Sequence, residues 1–206
     1  MNAADIQRAL GLVRKESDLN ARAMLFAGLV SELFREAGFE PVIVGGSAVE
    51  FYTDGAYMSG DTDICWAGWP IPSLEQREAV MRQIPGVEGR QGKSWRYDDL
   101  WVDLLNEVNS LADKGFVKFT TPNGPVVIIS AEDALVGRVY SARKWVGYNS
   151  EDDDCAKKLM AAVLAGDVPF EWEEARRIAA SPKYECVNEL EAIRSEVETV
   201  LAKRCQ

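Results

Sequence analysis

Two short runs carry residue types that suit phosphate chemistry. Gly45-Gly46-Ser47 is followed after thirteen residues by Asp61-Thr62-Asp63. A Gly-Gly-Ser turn opening a helix supplies unhindered backbone N–H groups and a helix N-terminus, and both favour an anionic phosphate. Carboxylates at i and i+2 on a strand share a face, so their oxygens can converge on one cation. A third carboxylate, Asp103, lies between Val102 and Leu104 in the strand-like run Leu100 to Glu107. A carboxylate among apolar neighbours is costly unless something pairs with it. A metal shared with Asp61 and Asp63 on a neighbouring strand supplies that pairing; an ion pair across the sheet with Lys118 or Arg96 is the plainer alternative. Three carboxylates on adjacent strands can bind two Mg²⁺ ions and serve an in-line phosphoryl displacement.

Composition narrows the chemistry further. The 206-residue chain contains no histidine, which removes Ser-His-Asp and Cys-His catalysis and His-ligated zinc. What remains is carboxylates, Lys and Arg, hydroxyls, and a hard cation held by oxygen, Mg²⁺ or Mn²⁺. Cys65, Cys155, Cys186 and Cys205 form no CxxC pair, so reduced, unligated thiols are expected. The net charge of −10 argues against general DNA binding or attachment to an anionic membrane, since both need clustered Lys and Arg. No stretch is long and apolar enough to span a bilayer and Met1 to Arg14 has no hydrophobic signal core, so a cytoplasmic protein is expected. The acidic run Glu151 to Asp154 lacks the spaced ligands and central Gly of a calcium loop and reads as a helix N-terminus. Cys65 reads as packing, its thiol made less reactive by Asp63 nearby. The tryptophans, Trp95 and Trp101 included, read as core or rim.

These residues need a framework. Residues from Ala4 to Ala37 are helical in spacing, with a break near Ser17-Asp18. Pro41 to Val44 is a short buried strand ending at Gly45, and Ser47 with Glu50 matches a capping box for a short helix ending near Asp54-Gly55. Thr62 to Ala67 alternates as a strand, and Ser73 to Ile84 reads as a helix with Ser73 and Gln76 in capping positions. Four strand-like runs follow, Lys93 to Tyr97, Leu100 to Glu107, Phe116 to Thr120 and Val126 to Ile129. From Ala131 the pattern is helical, with breaks at Gly147 to Asn149, Gly166 to Pro169 and Ser181-Pro182. The expected organisation is a mixed α/β core over residues 1–130 with a helical region, 131–206, packed on it.

The segments Val42 to Ser47, Ser59 to Ile64 and Trp101 to Leu105 together resemble the DNA polymerase β-like nucleotidyltransferase superfamily, in which an apolar strand leads into Gly-Gly/Ser, an Asp-x-Asp follows on the next strand, and a third Asp comes from a later one. The stretch Ile129 to Leu135, with Arg138, Arg143 and Lys144 and the acidic turn Glu151 to Asp154, also looks like bacterial members, among them toxin-type and antibiotic-modifying enzymes. The resemblance implies a nucleotidyltransferase fold, a mixed β-sheet flanked by helices with a helical C-terminal part. It implies that Gly45, Gly46 and Ser47 hold the triphosphate of an NTP such as ATP, and that Asp61 and Asp63 bind both metal ions. Asp103 completes the catalytic metal and assists deprotonation of the acceptor, while Ser59 adds a hydroxyl contact. Arg138 or Lys144 is a candidate for neutralising the phosphates. The acceptor is a small-molecule hydroxyl, a protein side chain or an RNA 3′ end such as that of tRNA, and an antitoxin partner follows if the chain is a toxin. A catalytically silent protein of the same fold, binding a partner or nucleotide without turnover, is the alternative.

Overall fold

The computed structural model describes residues 1–90 and 92–204; Cys205, read above as a reduced thiol, lies outside them. These residues form two compact units, one of residues 1–47, 58–109 and 116–128, the other of 48–57, 110–115 and 129 onward.

The first unit is built on a seven-stranded mixed sheet of order β3-β4-β5-β2-β1-β7-β6, made of β1 (Pro41–Ile43), β2 (Thr62–Trp66), β3 (Glu88–Arg90), β4 (Ser94–Tyr97), β5 (Leu100–Glu107), β6 (Val117–Thr121) and β7 (Gly124–Ile128). β1 runs antiparallel to β2 and parallel to β7, and β2 runs parallel to β5. Helices α1 (Ala3–Lys15), α2 (Leu19–Glu36) and α4 (Leu74–Met81) belong to this unit, and α3 (Gly45–Tyr52) starts in it. α2 packs against β7, β1, β5 and β6, and α1 and α4 pack against α2. The alternation on β2 sorts its side chains: Ile64 and Trp66 are fully buried, with Trp66 against Phe34 (4.7 Å) and Phe39 (6.2 Å), while Asp63 and Cys65 are half-buried on the other face. Ser73 and Gln76 form the expected capping box at the start of α4. β3 was not anticipated. Its Glu-Gly-Arg sequence carries no alternation, and it pairs with β4 because Gly89 lies where any Cβ would run into the Trp95 ring.

The second unit is helical: α5 (Ala131–Arg143), α6 (Ser150–Ala165), α7 (Trp172–Ala179) and α8 (Val187–Arg204), joined by the breaks the sequence indicates. Leu135, Val136, Val139, Leu159, Met160, Ile178 and Ile193 are among its buried residues. Ser130 caps α5 by accepting the Asp133 N–H (3.1 Å). Asp133, itself buried, accepts the Ser110 hydroxyl (2.6 Å) and the N–H groups of Leu111 and Ala112, anchoring that loop. Glu151, Asp152 and Asp153 occupy the first turn of α6, behind the N-cap Asn149, where the helix dipole favours them.

Candidate functional site

Asp61 lies in the bend before β2, Asp63 inside β2, and Asp103 directly opposite Asp63 on β5. Parallel pairing in that register sets Asp63 and Asp103 on one face, and one oxygen of each of the three carboxylates lies within 4.8 Å of the others. The donors are hard carboxylate oxygens from three separate side chains, a set that fits a hard divalent cation such as Mg²⁺ or Mn²⁺. The alternative ion pairs for Asp103 do not form: Arg96 bonds Glu88 (2.7 Å), and Lys118 sits on β6 at the far end of the sheet. Opposite Asp103 on β4 is Ser94.

The Gly-Gly-Ser run meets these carboxylates at the mouth of β1. Gly45 opens α3 with φ +67°, and a Cβ at that position would run into Asp63 Oδ2. Glycine is therefore required twice, by backbone conformation and by the close approach of a carboxylate. Gly46 is buried in the first turn of α3.

Ser47 does not form the expected capping box with Glu50. It lies within α3, fully buried, and its hydroxyl donates to the Val44 carbonyl (2.9 Å) while accepting the Asp63 N–H (3.1 Å). The reason is the end of the β1–β2 ladder. Val44 N–H donates to the Asp63 carbonyl (3.0 Å), and the return bond from Asp63 N–H to Val44 C=O passes through the serine hydroxyl. Ser47 thus completes the last rung of the ladder and fixes the backbone of Asp63. The Ser59 hydroxyl reaches Asp61 Oδ1 at 3.4 Å, a long bond that places it beside the first carboxylate.

Cys65 follows Asp63 on the same face. Burial, with Asp63 beside it, pushes its thiol up to about 11, against an opposing effect from Arg77, so the thiol stays protonated and inert near neutral pH. Burial is the larger cause, where the sequence pointed only to the carboxylate. Trp101 and Leu105 flank Asp103 on its own face and are both exposed, with the Arg96 guanidinium over the Trp101 ring at 5.6 Å. Of the candidate phosphate cations, Arg138 bonds Asp152 (2.6 Å) and Lys144 approaches Glu189 (3.8 Å), both within the second unit. No sequence pattern marks the side chains that hold β5 behind Asp103, Trp66 and Arg77, because their partners are main-chain carbonyls.

No protein-family model matches this sequence, and no curated protein is found to be similar to it. Solved structures are. A nucleotidyltransferase-like antigenic protein from Paracoccidioides brasiliensis is similar with a TM-score of 0.54 at 13% identity, over 86% of this chain and 94% of that one. The antibiotic-resistance factor ANT(2'')-Ia is similar at 15% identity, with TM-score 0.47 over 87% of this chain and 98% of that one for its complex with adenylyl-2''-tobramycin. For its solution structure the TM-score is 0.44 over 84% and 90%. The likeness to the Paracoccidioides protein shows the fold: this chain has the nucleotidyltransferase fold, in the mixed α/β class that its motifs imply.

Proposed function

We propose that this protein is a metal-dependent nucleotidyltransferase, moving a nucleoside monophosphate from an NTP to a hydroxyl acceptor with release of pyrophosphate. The observation that carries the reading is the convergence of Asp61, Asp63 and Asp103 beside a helix that opens on Gly45. Asp61, Asp63 and Asp103 would hold the divalent ion, which when bound offsets phosphate charge and activates the attacked phosphorus. The opening of α3, with Gly45 and Gly46 lacking side chains, offers backbone N–H groups to the triphosphate. Ser47 acts there by holding Asp63, and Ser59 by its contact with Asp61. Asp103 shares its strand face with the exposed Trp101 and Leu105, and is assigned the acceptor proton. In the transfer the acceptor oxygen bonds the α-phosphorus, the bond from that phosphorus to the β-phosphate oxygen breaks, and pyrophosphate leaves.

The exposed Trp101 and Leu105 beside Asp103 favour an acceptor with an apolar body next to its hydroxyl. An RNA 3′ end is disfavoured, because six cations of the helical region that could form a basic patch are matched by carboxylates: Arg143 by Asp153 and Glu196, Lys144 by Glu189, Lys157 by Asp153, Lys158 by Asp154, Arg176 by Glu191, Arg177 by Glu174. Incubation with α-labelled NTPs, Mg²⁺ and a cell extract, with products sorted by size, tests the reading. Label in small molecules or protein agrees with it, and label in tRNA overturns the acceptor assignment. Growth arrest on expression, lifted by Asp63→Asn, would identify the toxin role; its absence would remove that role and leave the transfer reading standing.

A further inference from the structure

The β2–β5 ladder changes register immediately beyond the site. Pairing runs Thr62 with Val102, Asp63 with Asp103 and Ile64 with Leu104, then resumes at Trp66 with Glu107. Two steps along β2 match three along β5, so β5 carries an extra residue in a bulge that starts next to Asp103. Bulges loosen pairing. A one-residue slip of β5 would turn Asp103 toward the face packed on α2 and bring Leu104 to the open one.

Two buried side chains hold the carbonyls of this bulge. The Trp66 indole N–H donates to the Leu105 carbonyl at 2.9 Å, and the Arg77 guanidinium donates from Nη1 to the Leu104 carbonyl at 2.6 Å. Arg77 Nε also donates to the Pro72 carbonyl (3.1 Å), tying the bulge to the segment that enters α4. The guanidinium lies over the Trp66 ring at 5.6 Å, so the two donors brace each other. Arg77 is only 5% exposed and, among the described residues, no carboxylate pairs with it. Burial accordingly lowers its pKa. Placing a full charge there costs desolvation that an apolar side chain would avoid, which calls for a task that only a forked donor performs.

We propose that Arg77 and Trp66 are positioning residues that lock the β5 bulge and thereby keep the Asp103 carboxylate in register with Asp63 and aimed at the divalent cation. The inference rests on the reading of Asp61, Asp63 and Asp103 as a metal site. Neither residue touches substrate or metal. Both act through the peptide planes that follow Asp103, and outer partners of this kind typically change metal affinity by about 10–100-fold.

The test is Mn²⁺ binding by titration calorimetry on the full chain, at a temperature well below unfolding, with circular dichroism and thermal melts run alongside. The variants are Trp66→Phe, which keeps the ring packing and removes the N–H, Arg77→Met, Arg77→Lys and, as reference, Asp103→Asn. The expected result is Mn²⁺ affinity roughly tenfold weaker in Trp66→Phe and Arg77→Met, partial recovery in Arg77→Lys, and a loss in Asp103→Asn at least as large. If Arg77→Met does not fold, Trp66→Phe decides. Folded variants with lowered melting temperature and wild-type Mn²⁺ affinity overturn the positioning role and leave the metal site standing. A wild-type chain that binds no Mn²⁺, or an Asp103→Asn chain that binds it as wild type does, overturns the metal site itself and the positioning role with it.

Discussion

Asp63 is held from three directions at once: by the β2–β5 register, by the Ser47 hydroxyl on its N–H, and by a glycine that leaves room for its carboxylate. Removing the hydroxyl in Ser47→Ala leaves a buried N–H and a carbonyl without their bridge, which costs about 2 kcal/mol. Chemical denaturation of that variant should show the loss, and its transfer rate should fall with it; wild-type stability would contradict the role assigned to the bridge. Gly45→Ala should be worse for the site than for the fold. The positive φ costs about 1–3 kcal/mol, and the added methyl displaces Asp63, so Mn²⁺ affinity should drop even where the protein remains folded. The types and spacing of these residues were legible in the sequence, as was the convergence of the carboxylates. The task of Ser47 was not, because a capping box and a ladder bridge present the same Ser-x-x-Glu string and only the position of Asp63 N–H separates them. Trp66 and Arg77 were invisible for a similar reason: a side-chain pattern does not record bonds to carbonyls.

At the scale of elements, most boundaries followed from local physical chemistry. β5 begins and ends where its composition says, α4 carries its capping box, and the helix breaks after residue 131 fall at glycine, asparagine and proline. β3 escaped because its existence depends on Trp95 packing over Gly89, a tertiary event. Among the helices of the second unit, α5, α6 and α8 are joined by an ion cluster: Arg143 donates to Asp153 (2.7 Å) and Glu196 (2.9 Å), and Lys157 reaches the same two carboxylates at 2.7 and 2.8 Å. Burial raises the pKa of Asp153, but the bonds from Arg143 and Lys157 outweigh it and hold the carboxyl below its ordinary value; Arg143 and then Lys157 do the same for Glu196. A depressed carboxylate contributes stability that is full above its unfolded pKa, near 4, and lost as pH falls through the lower folded value. The melting temperature should therefore decline steeply below about pH 4. Asp153→Ala, which leaves Arg143 and Lys157 with Glu196 as their shared carboxylate, should cost about 2 kcal/mol at pH 7 and flatten that decline; an unchanged acid profile would show that the cluster is dispensable.

For the whole molecule, the proposed transfer would bring phosphates to a chain of net charge −10, and a divalent ion held by Asp61, Asp63 and Asp103 would offset the repulsion there. Lys157, Lys158, Arg176 and Arg177 are each ion-paired, which weighs against an RNA acceptor in the proposed reading. No described helix is long and apolar enough to cross a membrane. Chelation by EDTA should abolish nucleotide-induced thermal stabilisation, and Mg²⁺ in excess should restore it, which thermal shift assays can read for each NTP. The proposed acceptor side was the least legible part of the sequence: alternation puts Trp101 and Leu105 on the face of Asp103, but their exposure there is set by tertiary packing. These expectations for nucleotide and acceptor rest on Asp61, Asp63 and Asp103 forming a metal site for the proposed nucleotidyl transfer. The most direct measurement is label transfer from α-labelled ATP, GTP, CTP and UTP with Mg²⁺ and extract, comparing wild type with the Asp61→Asn/Asp63→Asn double variant. Wild type should yield labelled product and pyrophosphate from at least one nucleotide and the variant none; equal labelling by both, or labelling by neither, would contradict a metal site at these carboxylates.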